Sequence, residues 1–68
     1  MKEIDNLILK YLQNGLSQSE IADKLKEIEI KPNSISSVEK KLKTIREAYG
    51  AKTLFHLGFV IASENKNN

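Results

Sequence analysis

Apolar residues recur along this chain at spacings of three and four, and polar or glycine positions interrupt them at intervals that predict four helices. Ile4, Leu7, Ile8, Tyr11 and Leu12 form one stripe and predict a first helix over about 3–14. Asn14-Gly15 ends it, because glycine accepts the left-handed conformation that stops helices, and Leu16 packs back as the chain turns. Ser17-Gln18-Ser19-Glu20 is a capping box, in which Ser17 and Glu20 satisfy each other's free backbone amides. It opens a second helix whose inward residues are Ile21, Ala22 and Leu25, with Ala22 small enough for a close helix crossing. This helix fades between Leu25 and Glu29.

Lys26 to Asn33 reads as a connection with Ile28 and Ile30 as buried anchors. Pro32 disfavours helix at Lys31, and Pro32-Asn33-Ser34 is turn chemistry that supplies the next cap from either Asn33 or Ser34. A third helix is predicted over about Ser34 to Tyr49, burying Ile35, Val38, Leu42, Ile45 and Tyr49, and Gly50 stops it as Gly15 stops the first. A fourth runs from about Thr53 to Glu64 and begins at Lys52 or Thr53. Its apolar residues, Leu54, Phe55, Leu57, Phe59, Val60, Ile61 and Ala62, wrap nearly all the way round. Either the small core needs every one of them, or a second face is buried against a partner, most simply a second copy. Gly58, inside this helix, is expected to permit close packing against another helix. The expected organisation is one all-α, four-helix domain over residues 1–64, with a polar disordered tail at 65–68.

With 68 residues the core is small, and with no cysteine there is neither a disulfide framework nor a thiolate metal site. No apolar run approaches the roughly 20 residues of a membrane span, and no apolar stretch follows Met1 as a signal peptide would require, so a cytoplasmic protein without a membrane partner is expected. The net charge of +2 says little by itself. Its distribution says more: residues 1–33 carry five lysines against six acids, while residues 34–68 carry five lysines and one arginine against three acids. The excess is concentrated between Lys40 and Lys52, which fits either a solvated helix face or a polyanion-binding one.

Catalysis needs convergent groups, and the sequence offers none: no histidine lies near the serines and carboxylates to activate them, and His56 has no second histidine beside it. Gly15, Gly50 and Gly58 are too dispersed for a phosphate-cradling loop. Tyr11 and Tyr49 lie on apolar stripes and read as core. The expectation is a protein that is not an enzyme and has no cofactor and no metal.

Two segments carry a resemblance. Gly15-Leu16-Ser17-x-x-Glu20-Ile21-Ala22-x-x-Leu25 resembles the start of the helix-turn-helix of LuxR/GerE-type regulators. Ser37-Val38-x-x-Lys41-x-x-x-Ile45-x-x-x-Tyr49-Gly50-Ala51 resembles that family's recognition helix and the stop after it. The resemblance spans about Ile4 to Ser63. Two departures stand out. The segment from Leu25 to Ser37 is several residues longer than the family's turn, and Lys41 stands where the family often has histidine. The family also attaches this domain to a receiver or sensor domain, so the resemblance implies a stand-alone module here.

The resemblance implies sequence-specific binding of double-stranded DNA by a transcriptional regulator, with Glu39, Lys40 and Lys43 facing base edges. Ser17, Ser19, Ser36, Ser37, Lys41, Thr44, Arg46, Lys52 and Thr53 would touch or flank phosphates. It also implies a homodimer through the last helix, with Phe55, Phe59 and Ala62 as the outward seam. The rival reading is a protein-interaction module on the same scaffold that no longer binds DNA, which the acids Glu39 and Glu47 on the third helix favour modestly.

Overall fold

The computed structural model describes residues 3–65 and contains, among them, four α-helices and no strand: α1 (Glu3–Gln13), α2 (Gln18–Glu27), α3 (Ile35–Ala48) and α4 (Leu54–Asn65). Helix α4 includes Asn65, the first residue of the stretch read above as a tail, and 66–68 lie outside the described residues. Helix α3 packs most extensively on α2, and α1 closes the bundle by touching each of the other three. The core is made of aliphatic side chains from all four helices. Ile8, Ile21, Leu25, Val38, Leu42 and Leu57 are its largest fully buried members. Each stabilises the fold by about 1.5–3 kcal/mol relative to an exposed position.

One closure recurs at the ends of the first three helices. In each, the residue two beyond the helix is left-handed and the next amide reaches back five residues to a carbonyl, the Schellman pattern. At α1, Gly15 has φ 90°, its amide donates to the Leu12 carbonyl, and the Leu16 amide donates to the Tyr11 carbonyl at 3.1 Å. At α3, Gly50 has φ 68° and the Ala51 amide donates to the Arg46 carbonyl at 2.9 Å. At α2 the left-handed residue is Glu29, with φ 56°, and the Ile30 amide donates to the Leu25 carbonyl at 2.9 Å. The residue after each left-handed position, Leu16, Ile30 or Ala51, turns back into or against the core.

That closure corrects one expected anchor. Ile30 packs on the core, but Ile28, the C-cap of α2, remains 46% exposed, because the reversal returns the second residue after the cap and not the cap itself. Ile35 is corrected likewise. It continues the α3 stripe by spacing but lies in the first turn, beyond the buried cluster that begins at Val38, and is 45% exposed. Leu9, outside the expected stripe, is buried beside Ile8. The lengthened connection is loop and adds no further helical turn, and it contains a cis Lys31–Pro32 bond.

The helix starts follow side-chain caps. Ser17 and Glu20 form the reciprocal box: the Ser17 amide donates to Glu20 Oε1 at 2.9 Å, and the Glu20 amide donates to Ser17 Oγ at 3.2 Å. Ser34, one of the two candidates, caps α3 by accepting from the Ser37 amide. Thr53 caps α4, its Oγ1 accepting from the His56 amide at 3.0 Å.

Two measurements test these ends. Glu29→Gly relieves a side chain held left-handed and should raise stability by up to about 1 kcal/mol in urea unfolding, whereas Gly50→Ala should lower it by about 1–2 kcal/mol. The Ser17 amide, and then the Ser17 hydroxyl, hold the Glu20 carboxyl below the ordinary carboxylate range. A lowered carboxyl contributes stability that is full above its unfolded value and is lost as pH falls through the folded one. Glu20→Gln should therefore flatten the acid side of a stability-against-pH curve, in the window from the ordinary carboxylate range downward, and leave the neutral side sloped as before.

Candidate nucleic-acid interface

Because Val38, Leu42 and Ile45 face inward, the opposite side of α3 is fixed by the helical period. Ser36, Lys40, Lys43 and Glu47, spaced by four, three and four, form its outward ridge, and all four are exposed. Glu39 and Arg46 flank the ridge on one side, Thr44 on the other. A shallow groove of about 420 Å³ runs along the first flank, lined by Gln18, Glu39, Lys40, Lys43 and Arg46. Gln18, the first residue of α2, thus joins α3 at this surface. Its place was not legible in the sequence, where it appeared only as the second position of the capping box.

The cations on α3 divide into two pairs. Lys41 Nζ donates to Asp5 Oδ1 at 3.2 Å, an ion pair of two half-buried side chains that fastens α3 to the first turn of α1. Arg46 Nη1 donates to the Ala51 carbonyl at 3.1 Å and to the Lys52 carbonyl at 3.4 Å, holding the corner between α3 and α4. Both had been expected at phosphates from the resemblance; the geometry gives both intramolecular partners. Lys40 and Lys43 are exposed and make no ion pair among the described residues.

The hydroxyls divide in the same way. Ser17 Oγ is occupied as a cap. Ser37 Oγ accepts from Ser34 Oγ at 2.8 Å, and Thr44 Oγ1 donates to the Lys40 carbonyl. Ser19 and Ser36 are exposed at the starts of α2 and α3, on the side of each helix where free amides favour anions. At the α4 corner Lys52 is exposed, its amide donates to His56 Nδ1 at 3.2 Å, and Thr53 serves as the cap. Phe55, Phe59 and Ala62 share an outward face of α4, with Phe55 89% and Phe59 66% exposed.

This arrangement presents two ammonium groups without an ion pair among the described residues, flanking acids and hydroxyls on a helix tied at its middle to α1 and near its end to the following corner. It can donate hydrogen bonds to an anionic partner along a line. No helix among the described residues is long and apolar enough to cross a membrane.

The bracing is measurable. A double-mutant cycle on Asp5→Asn and Lys41→Met should give a coupling of about 0.5–1 kcal/mol, the range of a partly screened ion pair; near-zero coupling would show the pair to be incidental. No family model, no curated protein and no solved structure matches the chain.

Proposed function

We propose that this domain binds double-stranded DNA, laying α3 in the major groove, and acts as a transcriptional regulator of the LuxR/GerE kind. The observation that supports this most is the division of cations on α3. Lys41 and Arg46 are spent inside the fold, while Lys40 and Lys43 stand on the ridge opposite the core with no ion pair among the described residues. A helix of 14 residues is about 21 Å long, and a groove about 12 Å wide admits it. Lys40 and Lys43 then donate to guanine O6 or N7, and Glu39 accepts from cytosine N4. Ser19, Ser36 and Lys52 contact phosphates, which fix register and supply affinity without sequence choice. Two copies paired through α4 present two reading helices to half-sites about one helical turn, or 34 Å, apart, a spacing close to the 32 Å longest dimension of one copy.

A second reading, a protein-interaction module, draws on Phe55 and Phe59, which stand in solvent on α4. Fluorescence anisotropy on mixed-sequence duplex across a salt series separates the two. DNA binding predicts a Kd of about 10⁻⁴ to 10⁻⁶ M that weakens steeply with salt, and Lys40→Glu/Lys43→Glu should abolish it. Lys52→Ala, which removes a phosphate contact, should reduce the salt slope by about one. A folded protein that fails to bind at low salt would overturn the DNA reading.

A further inference from the structure

An open apolar groove of about 520 Å³ lies between α4 and the α1–α2 turn, lined by Leu12, Leu16, Leu54, Phe55 and Gly58 and by no charged residue. A Cβ built at Gly58 meets nothing within 4 Å, so the close packing expected of this glycine is not made within the domain. The groove along α3 has the opposite character. Polar side chains line it, Glu39, Lys40, Lys43 and Arg46 from α3 and Gln18 from α2. The four on α3 have a place in the DNA-binding reading or in the fold. Gln18 has neither: the cap of α2 is made by its neighbours Ser17 and Glu20, and the inward residues of that helix are Ile21, Ala22 and Leu25.

The position of Gln18 is nonetheless well determined. It is the first residue of α2, and the reciprocal cap of Ser17 and Glu20 fixes the backbone on both sides of it. Helix α2 packs more extensively on α3 than on any other helix. The Gln18 side chain is half-buried at that junction. None of the side-chain hydrogen bonds among the described residues involves it. No buried side-chain polar atom there lacks a partner, so the unbonded carboxamide reaches the solvent of the groove. It stands beside the α3 ridge with N–H donors and a carbonyl acceptor uncommitted.

The other polar groups of the groove cannot replace it. Lysine and arginine only donate, and an ionised glutamate only accepts. A carboxamide holds a donor and an acceptor side by side. Adenine presents the matching pair in the major groove, the N7 acceptor next to the N6 amino donor. Lys40, Lys43 and Glu39 address guanine and cytosine, which leaves A·T pairs without a reader on α3.

We infer that Gln18 reads an adenine, its N–H donating to N7 and its carbonyl accepting from N6, so that α2 as well as α3 determines the sequence bound. This rests on the DNA-binding reading. Residues that share one groove of about 420 Å³ address neighbouring base pairs, which stack about 3.4 Å apart. The adenine therefore lies within one or two base pairs of the guanine that Lys40 or Lys43 contacts.

The test is selection of duplexes from a random library by the whole chain, followed by anisotropy on the selected duplex with each base at that position. Wild type should prefer adenine there by about 5- to 100-fold. Gln18→Ala should lose that preference while keeping the guanine positions and the affinity for mixed-sequence duplex. Gln18→Glu keeps the acceptor and loses the donor. It should weaken binding to every duplex through its charge and move the preference from adenine to cytosine, whose N4 amino group donates. Both variants should melt within about 4 °C of wild type, as surface substitutions do. A residue needed only to start α2 would not exchange one base for another. If wild type selects a sequence and Gln18→Ala selects the same one, or if Gln18→Ala weakens all duplexes alike, the inference is overturned and the DNA-binding reading stands. If wild type binds no duplex, both are overturned.

Discussion

The structure depends on a backbone reversal used three times. Each of the first three helices ends on a left-handed residue, and each reversal hands the next apolar side chain back to the core. In a domain this small, every connection must both stop a helix and contribute to burial, because there is little other apolar area to draw on. The Schellman geometry does both in two residues. It satisfies carbonyls that would otherwise be bare, and it sets the direction in which the chain departs. The order of packing follows from it: α2 leaves α1 through Leu16, α3 leaves α2 through Ile30, and α4 leaves α3 through Ala51.

Where glycine occupies the left-handed position the reversal is visible in the sequence, and the ends of α1 and α3 were legible to within a residue or two. At α2 the position is held by Glu29, whose side chain gives no sign of it. The expected fate of Ile28 and Ile30 was therefore half right. Periodicity cannot tell which of two nearby isoleucines follows the turn. Ser17 was legible as a cap because it stands three residues before a carboxylate, whereas the turn Pro32-Asn33-Ser34 left Asn33 and Ser34 as equal candidates. Ile35 shows the opposite failure: a stripe has a direction but no length, and nothing in the pattern marks where the core beneath it stops.

The sequence placed Lys40, Lys41, Lys43 and Arg46 on the third helix but could not divide them by the neighbours they meet. Lys40, Lys41, Lys43 and Arg46 are equivalent as charges. Only three-dimensional neighbours separate them, since Asp5 lies 36 positions before Lys41 and the carbonyls that hold Arg46 belong to the following corner. The division makes the helix both rigid and chemically available. Two cations tie it to α1 and to the corner that follows it, and the remaining two face outward with no ion-pair partner among the described residues.

Charge is also segregated by face. The α3 ridge carries lysines and glutamates, and the α4 groove lining carries no charge. The two surfaces consequently respond to ionic strength in opposite senses. Added salt screens contacts to a polyanion over a Debye length of about 8 Å at physiological strength, whereas it leaves apolar pairing intact, and salting-out ions strengthen it. A contact made at the charged ridge would therefore weaken with ionic strength and one made at the apolar groove would not, without any titrating group or ligand, because charge and apolar lining are carried by different residues.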